Sequence, residues 1–153
     1  MNHKKSILIV DDDRAILNTA KDILQLEGYD VDVVETGLEA IKKTQTTFYH
    51  LALLDIKLPD MEGTELLNKM HRTTPKMMKI MITGFPSLDN AVDALNQGAD
   101  AYLLKPVKPE ALLKTVEEKL KEQEDAEKMS EENVKEWIQT KVQRLMANKD
   151  ADI

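Results

Sequence analysis

A chain of 153 residues, 42% hydrophobic and 32% charged, has the length and composition of one globular domain with a modest appendage. Its formal net charge of -7 argues against nonspecific nucleic-acid binding, since a phosphate backbone selects a basic face, although a partner could still bring the chain to DNA. With no cysteine, disulfides, thiol catalysis and cysteine-based zinc sites are excluded.

In chain order, Ile7-Leu8-Ile9-Val10 is a short apolar run that reads as a strand buried on both faces. Ile16, Leu17, Ala20, Ile23 and Leu24 then share one helical face, ended by Gly28. Residues 29–34 read as a second strand through the β-branched Val31, Val33 and Val34. A helix over 37–46 carries Leu38, Ile41 and Lys42 and leads into the strand Leu51-Ala52-Leu53-Leu54. A turn over 58–63 precedes a helix with Leu66, Leu67 and Met70, which Pro75 stops. Lys79-Ile80-Met81-Ile82 is the fourth strand. Leu88, Ala91, Val92 and Leu95 form the next helical face, closed by Gly98. Ala101-Tyr102-Leu103-Leu104 is the fifth strand, and a helix resumes near Pro109 with Leu112, Leu113, Val116 and Leu120.

Strict alternation of strands and helices implies right-handed crossovers and an α/β, doubly wound parallel sheet. The flavodoxin-like order 2-1-3-4-5 is expected, because it puts the first and third strands side by side at the switch point. In such a sheet ligands bind at the carboxyl ends of the strands. Asp11 and Asp12, Asp55, Thr83 and Lys105 each stand directly after one of the apolar runs. One crevice thereby collects three carboxylates, a hydroxyl and an ammonium, a set suited to a divalent metal and a phosphoryl group. Taken singly, each residue also has a plain reading: Asp12 or Asp13 as a helix cap, Thr83 as a turn residue, Lys105 as a solvated lysine.

Val10-Asp11-Asp12-Asp13, Leu54-Asp55-Ile56-Lys57-Leu58-Pro59-Asp60-Met61-Glu62-Gly63, Thr83-Gly84 and Lys105-Pro106, in this order, resemble the receiver domain of two-component response regulators, over about residues 5–121. The resemblance implies that Asp55 is a phosphoacceptor attacking a phosphohistidine on a sensor histidine kinase. It implies Mg²⁺ (or Mn²⁺) held by Asp12 directly, by Asp11 through water, by Asp55 and by the backbone carbonyl of Lys57. Lys105 would place a positive charge on the phosphoryl oxygens, and Thr83 would donate a hydroxyl hydrogen bond to them. It further implies a switch in which Thr83 moves inward and Tyr102 rotates into the vacated space, reshaping the face of the fourth helix, last strand and fifth helix. The plain alternative for Tyr102 is a partly buried core aromatic. The chain is then a signalling switch that assists its own phosphorylation and dephosphorylation rather than an enzyme. Gly84 leaves room for a phosphodonor, and Phe85 with the Lys57 stem is expected to shield the acyl phosphate from water.

Residues 121–128 are almost entirely charged and read as a helical extension or a linker over 122–129. Ser130 offers an N-cap for an amphipathic helix over 130–147, followed by a frayed end over 148–153. Val134, Trp137, Ile138, Val142, Leu145 and Met146 form its apolar stripe. That stripe either folds back on the receiver (residues 1–121), pairs with its copy, or docks on another protein; a homodimer through the Trp137 helix or through the helix 4–strand 5–helix 5 face is an expectation of the sequence. No leader or membrane-spanning run is apparent, so a cytoplasmic location is expected. The remaining partners are an unspecified downstream protein, with no direct nucleic-acid contact.

Three other readings compete. The chain could be the receiver part of a longer transcriptional or enzymatic regulator. Asp11 and Asp13 form an Asp-x-Asp pattern similar to haloacid-dehalogenase-type phosphatases, with Asp11 as nucleophile. A flavodoxin-type FMN binder is weaker, because the first loop lacks a Ser/Thr/Gly-rich phosphate cradle.

Overall fold

The computed structural model describes residues 4–70, 72–84 and 87–151. Its elements alternate: β1 (Ser6–Val10), α1 (Arg14–Leu26), β2 (Asp30–Val34), α2 (Gly37–Thr46), β3 (Leu51–Asp55), α3 (Gly63–Lys69), β4 (Met78–Thr83), α4 (Leu88–Asn96), β5 (Ala101–Leu104) and α5 (Pro109–Ala151). The strands form one parallel sheet in the order β2-β1-β3-β4-β5, as the alternation implies.

The apolar runs are explained by burial on both sides. Ile7 and Ile9 of β1, Leu51 and Leu53 of β3 and Ile80 of β4 face α1 and α5, packing with Leu17, Leu24, Leu112 and Val116. Leu8, Val10, Ala52, Leu54 and Met81 face the other way, onto Ala40, Leu66, Leu67 and Ala94. A strand between two helical layers has no solvent face, so period-two alternation disappears from its sequence.

α4 departs from the sequence reading. Its apolar residues Leu88, Val92 and Leu95 are exposed, and Ala94 is the buried contact. Periodicity identified a face, but the small side chain carries the packing.

In the tail, the helical-extension reading of 122–129 holds over the linker, but the helix runs on unbroken. α5 is one helix of 43 residues, and Ser130 lies in its interior rather than at a cap. Residues 121–129 consist of Lys, Glu, Gln, Asp, Ala and Met, mostly strong helix formers, with neither Gly nor Pro to stop the helix. The packed part of α5 runs beyond 121: buried Gln123 donates through Nε2 to the carbonyls of His50 (2.9 Å) and Lys76 (2.6 Å), and Lys5 pairs with Glu124 at 3.0 Å. From Glu124 to Asn148 every residue is exposed, so the stripe does not fold back on the receiver.

His50 lies at this junction, accepting the Ser6 backbone N–H on Nδ1 at 3.0 Å. Burial, with help from the Lys5 charge, holds its imidazole below the ordinary histidine value. A depressed histidine stabilises the fold fully above the unfolded value of about 6.5, and that contribution is lost as pH falls through the folded value. Denaturant titrations from pH 7.5 down to 5 are therefore expected to show a steeper loss of stability in the parent chain than in His50→Gln; parallel profiles would contradict this.

Candidate functional site

The carboxyl ends of β1, β3, β4 and β5 lie side by side, fixed by the pairs Val10↔Leu54, Asp55↔Ile82 and Thr83↔Leu104. Asp11 and Lys105 directly follow β1 and β5, and Asp55 and Thr83 close β3 and β4. The sheet thus gathers the residues expected there.

Asp11 and Asp55 are buried, 3% and 7% exposed, and Thr83 is fully buried. The Lys105 ammonium spans the two carboxylates, donating to Asp11 Oδ2 at 2.8 Å and Asp55 Oδ2 at 3.3 Å. Burial raises the Asp55 carboxyl above its ordinary value, and the Asp11 charge raises it further; Lys105 and the Lys57 N–H oppose this without cancelling it. Burial alone would lower the Lys105 ammonium, but the hydrogen bond and charge of Asp11, then Asp55, outweigh it and the net direction is upward. The site is electrostatically frustrated: one cation serves two buried anions.

Asp12 is exposed, yet carboxylate oxygens of Asp11, Asp12 and Asp55 lie within 4.8 Å of one another. Three hard oxygen donors with one ammonium between two of them fit a small divalent cation such as Mg²⁺, which would neutralise the excess negative charge. Lys57 sits two residues beyond Asp55, its backbone N–H 3.4 Å from Asp55 Oδ1, in a loop closed by Leu58 N–H donating to the Met61 carbonyl. Tyr102 packs partly buried against the α2–α3–α4 side of the core, its hydroxyl buried without a hydrogen-bond partner among the described residues. Phe85 lies outside the described residues.

Asp13 is committed elsewhere. Its carboxylate caps α1, accepting from the backbone N–H of Ala15 (2.9 Å) and Ile16 (3.4 Å). It is not poised as an acid–base partner for Asp11, and the phosphatase reading loses its second residue.

Two supports of the site had no assigned role in the sequence. Asp60 accepts the backbone N–H groups of Gly37 and Leu38, both at 2.9 Å, tying the loop after β3 to the start of α2; these bonds hold its carboxyl below the ordinary range. At Gly63 an added Cβ would come within 2.2 Å of the Asp55 carbonyl oxygen, so glycine lets α3 begin against the backbone of the buried carboxylate. A Cβ at Gly84 would meet Lys105 carbons at 3.8 Å, an ordinary contact, so no close approach among the described residues requires glycine there.

Comparison with known proteins agrees with this geometry. Residues 7–117 match the response regulator receiver domain, and the chain belongs to that family. It is 35% identical over 114 residues to the transcriptional regulatory protein ZraR of Klebsiella oxytoca, covering 74% of this chain and 26% of that protein. It is 36% identical over 107 residues to the transcriptional regulatory protein TrcR of Mycobacterium tuberculosis, covering 70% and 42%. The chain thus spans well under half the length of these relatives. Among solved structures it is similar to a CheY-like receiver domain protein from Methanospirillum hungatei JF-1, with 56% identity, 81% of this chain and 99% of that one covered, and a TM-score of 0.78. It is also similar to the beryllofluoride-activated NtrC4 receiver domain dimer, with 35% identity, 77% and 98% coverage and a TM-score of 0.73.

Millimolar Mg²⁺ is expected to raise the Tm of the full chain, and Asp12→Ala to remove most of the increase. At a hundredfold excess over Kd the stabilisation would be about 2.7 kcal/mol. Equal shifts in both proteins, read by differential scanning fluorimetry, would remove Asp12 from the metal site.

Proposed function

We propose that this receiver takes a phosphoryl group from the phosphohistidine of a sensor histidine kinase onto Asp55, and that the modified site alters a protein-binding surface. The observation that carries the reading is the Lys105 ammonium set between buried Asp11 and Asp55 at one sheet edge. A carboxylate oxygen of Asp55 attacks phosphorus as the P–N bond of the donor breaks and the imidazole departs. Mg²⁺ held by Asp11, Asp12, Asp55 and the Lys57 carbonyl (Mn²⁺ could replace it) would supply charge neutralisation on the transferring oxygens. Lys105 moves its hydrogen bonds from carboxylate to phosphoryl oxygens, and the Thr83 hydroxyl donates to the same group. These contacts assist both arrival and hydrolytic loss of the phosphoryl group, so the chain takes part in its own reaction while remaining a switch.

Thr83 and Tyr102 are the proposed moving parts. The Tyr102 hydroxyl, buried without a partner among the described residues, favours this over a purely structural aromatic, because an unpaired buried phenol is held at a cost in free energy. The responsive surface would include the exposed Leu88, Val92 and Leu95 of α4 and Leu104 of β5, apolar groups available to a downstream protein. No helix among the described residues is long and apolar enough to cross a membrane. A cytoplasmic location is part of the proposal, since the kinase reaction draws on that compartment's phosphodonors. A second reading keeps the same chemistry but makes the chain the receiver part of a longer regulator; the length and names of ZraR and TrcR favour it.

Incubation of the full chain with Mg²⁺ and a small phosphoramidate donor, read by intact-mass spectrometry, tests the reading. One added phosphoryl group is expected in the parent and none in Asp55→Asn, with residual labelling in Asp11→Asn. Labelling that survives in Asp55→Asn and vanishes in Asp11→Asn would move the nucleophile to Asp11.

A further inference from the structure

The exposed part of α5 carries an apolar stripe in phase with the face that packs on the receiver. Val134 lies 18 residues after Val116, and Ile138 lies 18 after Leu120, which is about five helical turns. Val116 and Leu120 are buried against the sheet. The stripe therefore points to the side on which the receiver sits, but further along the helix. Val134, Trp137, Ile138, Val142, Leu145 and Met146 are each 48–64% exposed. Lys141 covers the Trp137 ring from 4.8 Å without hiding it.

The size of the stripe matches a helix partner. Covering it in two copies would remove on the order of 1,200 Å² from water, the lower bound of a specific protein interface. A single copy leaves a patch at or above the few hundred Å² that monomers usually expose. The charges give the direction. Residues 122–136 hold seven acids and two lysines, whereas 137–148 hold Lys141 and Arg144 and no acid. Side-by-side parallel helices would set acidic half on acidic half; reversed helices set acidic on basic. Sterics agree. A parallel partner lying on the stripe would, at the level of Leu112 to Gln123, enter the volume held by the receiver itself. A reversed partner centred near residue 139 sets its Asn148 beside Ser130, seven residues beyond the packed Gln123.

We propose that two copies of this chain pair through residues 130–148 of α5 as an antiparallel helix pair, with a receiver at each end. The acidic spacer 124–129 separates each receiver from the paired segment. The two Asp55 sites and the α4 faces stay clear of the interface. Pairing needs no phosphoryl group on Asp55, so it stands or falls separately from the reaction proposed above.

The absence of cysteine makes a direct test available. Light scattering of the full chain at tens of micromolar should give the mass of two chains, and Ile138→Glu with Leu145→Glu should weaken the pair at least ~100-fold to give one. Both positions are exposed in the single chain, so the receiver should still fold; phosphoryl labelling of the double variant checks this. Ser130→Cys and Asn148→Cys lie about 27 Å apart along the helix. Oxidation of a mixture of these two single variants should give the mixed disulfide dimer, while each alone should cross-link poorly. A monomeric parent, or a dimer that survives the double substitution, would overturn the proposal. Efficient self-cross-linking of Ser130→Cys alone would overturn the antiparallel direction.

Discussion

Two buried carboxylates at neighbouring strand ends are an expensive arrangement, and the Lys105 ammonium between Asp11 and Asp55 is what the fold supplies to hold them. Charges removed from water are tolerated only when paired at close range. The pairing is incomplete here, since burial and the Asp11 charge keep the Asp55 carboxyl raised despite Lys105. A site left short of positive charge has affinity for more of it, which is the physical content of the metal assignment. It also needs precise backbone support. Gly63 lets α3 start against the Asp55 carbonyl, Asp60 anchors the following loop to α2, and the parallel register sets β1, β3, β4 and β5 level at one edge.

Much of this was legible in the sequence because the central strands are buried on both faces. Such strands appear as short apolar runs, and the first polar residue after each run marks the sheet edge; hence Asp11, Asp55, Thr83 and Lys105 could be placed together. The sequence offers Asp12 or Asp13 as the cap of α1, and the geometry selects Asp13. What stayed hidden depended on neighbours distant in the chain. The Asp60 bonds to Gly37 and Leu38 cross more than twenty residues, and nothing local to Asp60 announces them. Periodicity showed that α4 and the tail have apolar faces but not whether anything covers them. In α4 the large residues are exposed and Ala94 packs. Ser130 resembles a cap in sequence, but capping requires a break in helical dihedrals, and the surrounding helix formers provide none.

The chain consequently has two exposed apolar regions with different relations to the site. The α4 face adjoins β5, whose Tyr102 hydroxyl lacks a partner among the described residues and which Lys105 directly follows, so it is next to the site. The distal half of α5 continues the helix anchored through Gln123 and Lys5–Glu124 at the amino ends of the strands, the opposite sheet edge from the carboxylates. A switch surface and an assembly surface can thus coexist in one chain without competing for the same side chains.

The Asp11–Asp55–Lys105 cluster is proposed as a phosphoryl site completed by a metal. The most direct measurement is a crystal structure of the full chain grown with Mg²⁺ and beryllium fluoride, a phosphoryl mimic. The fluoride adduct is expected on an Asp55 carboxylate oxygen, with Lys105 Nζ and the Thr83 hydroxyl on its fluorines and the ion beside Asp11 and Asp12. An adduct on Asp11 or Asp12, or a Lys105 ammonium still bridging the two bare carboxylates at saturating fluoride, would contradict it.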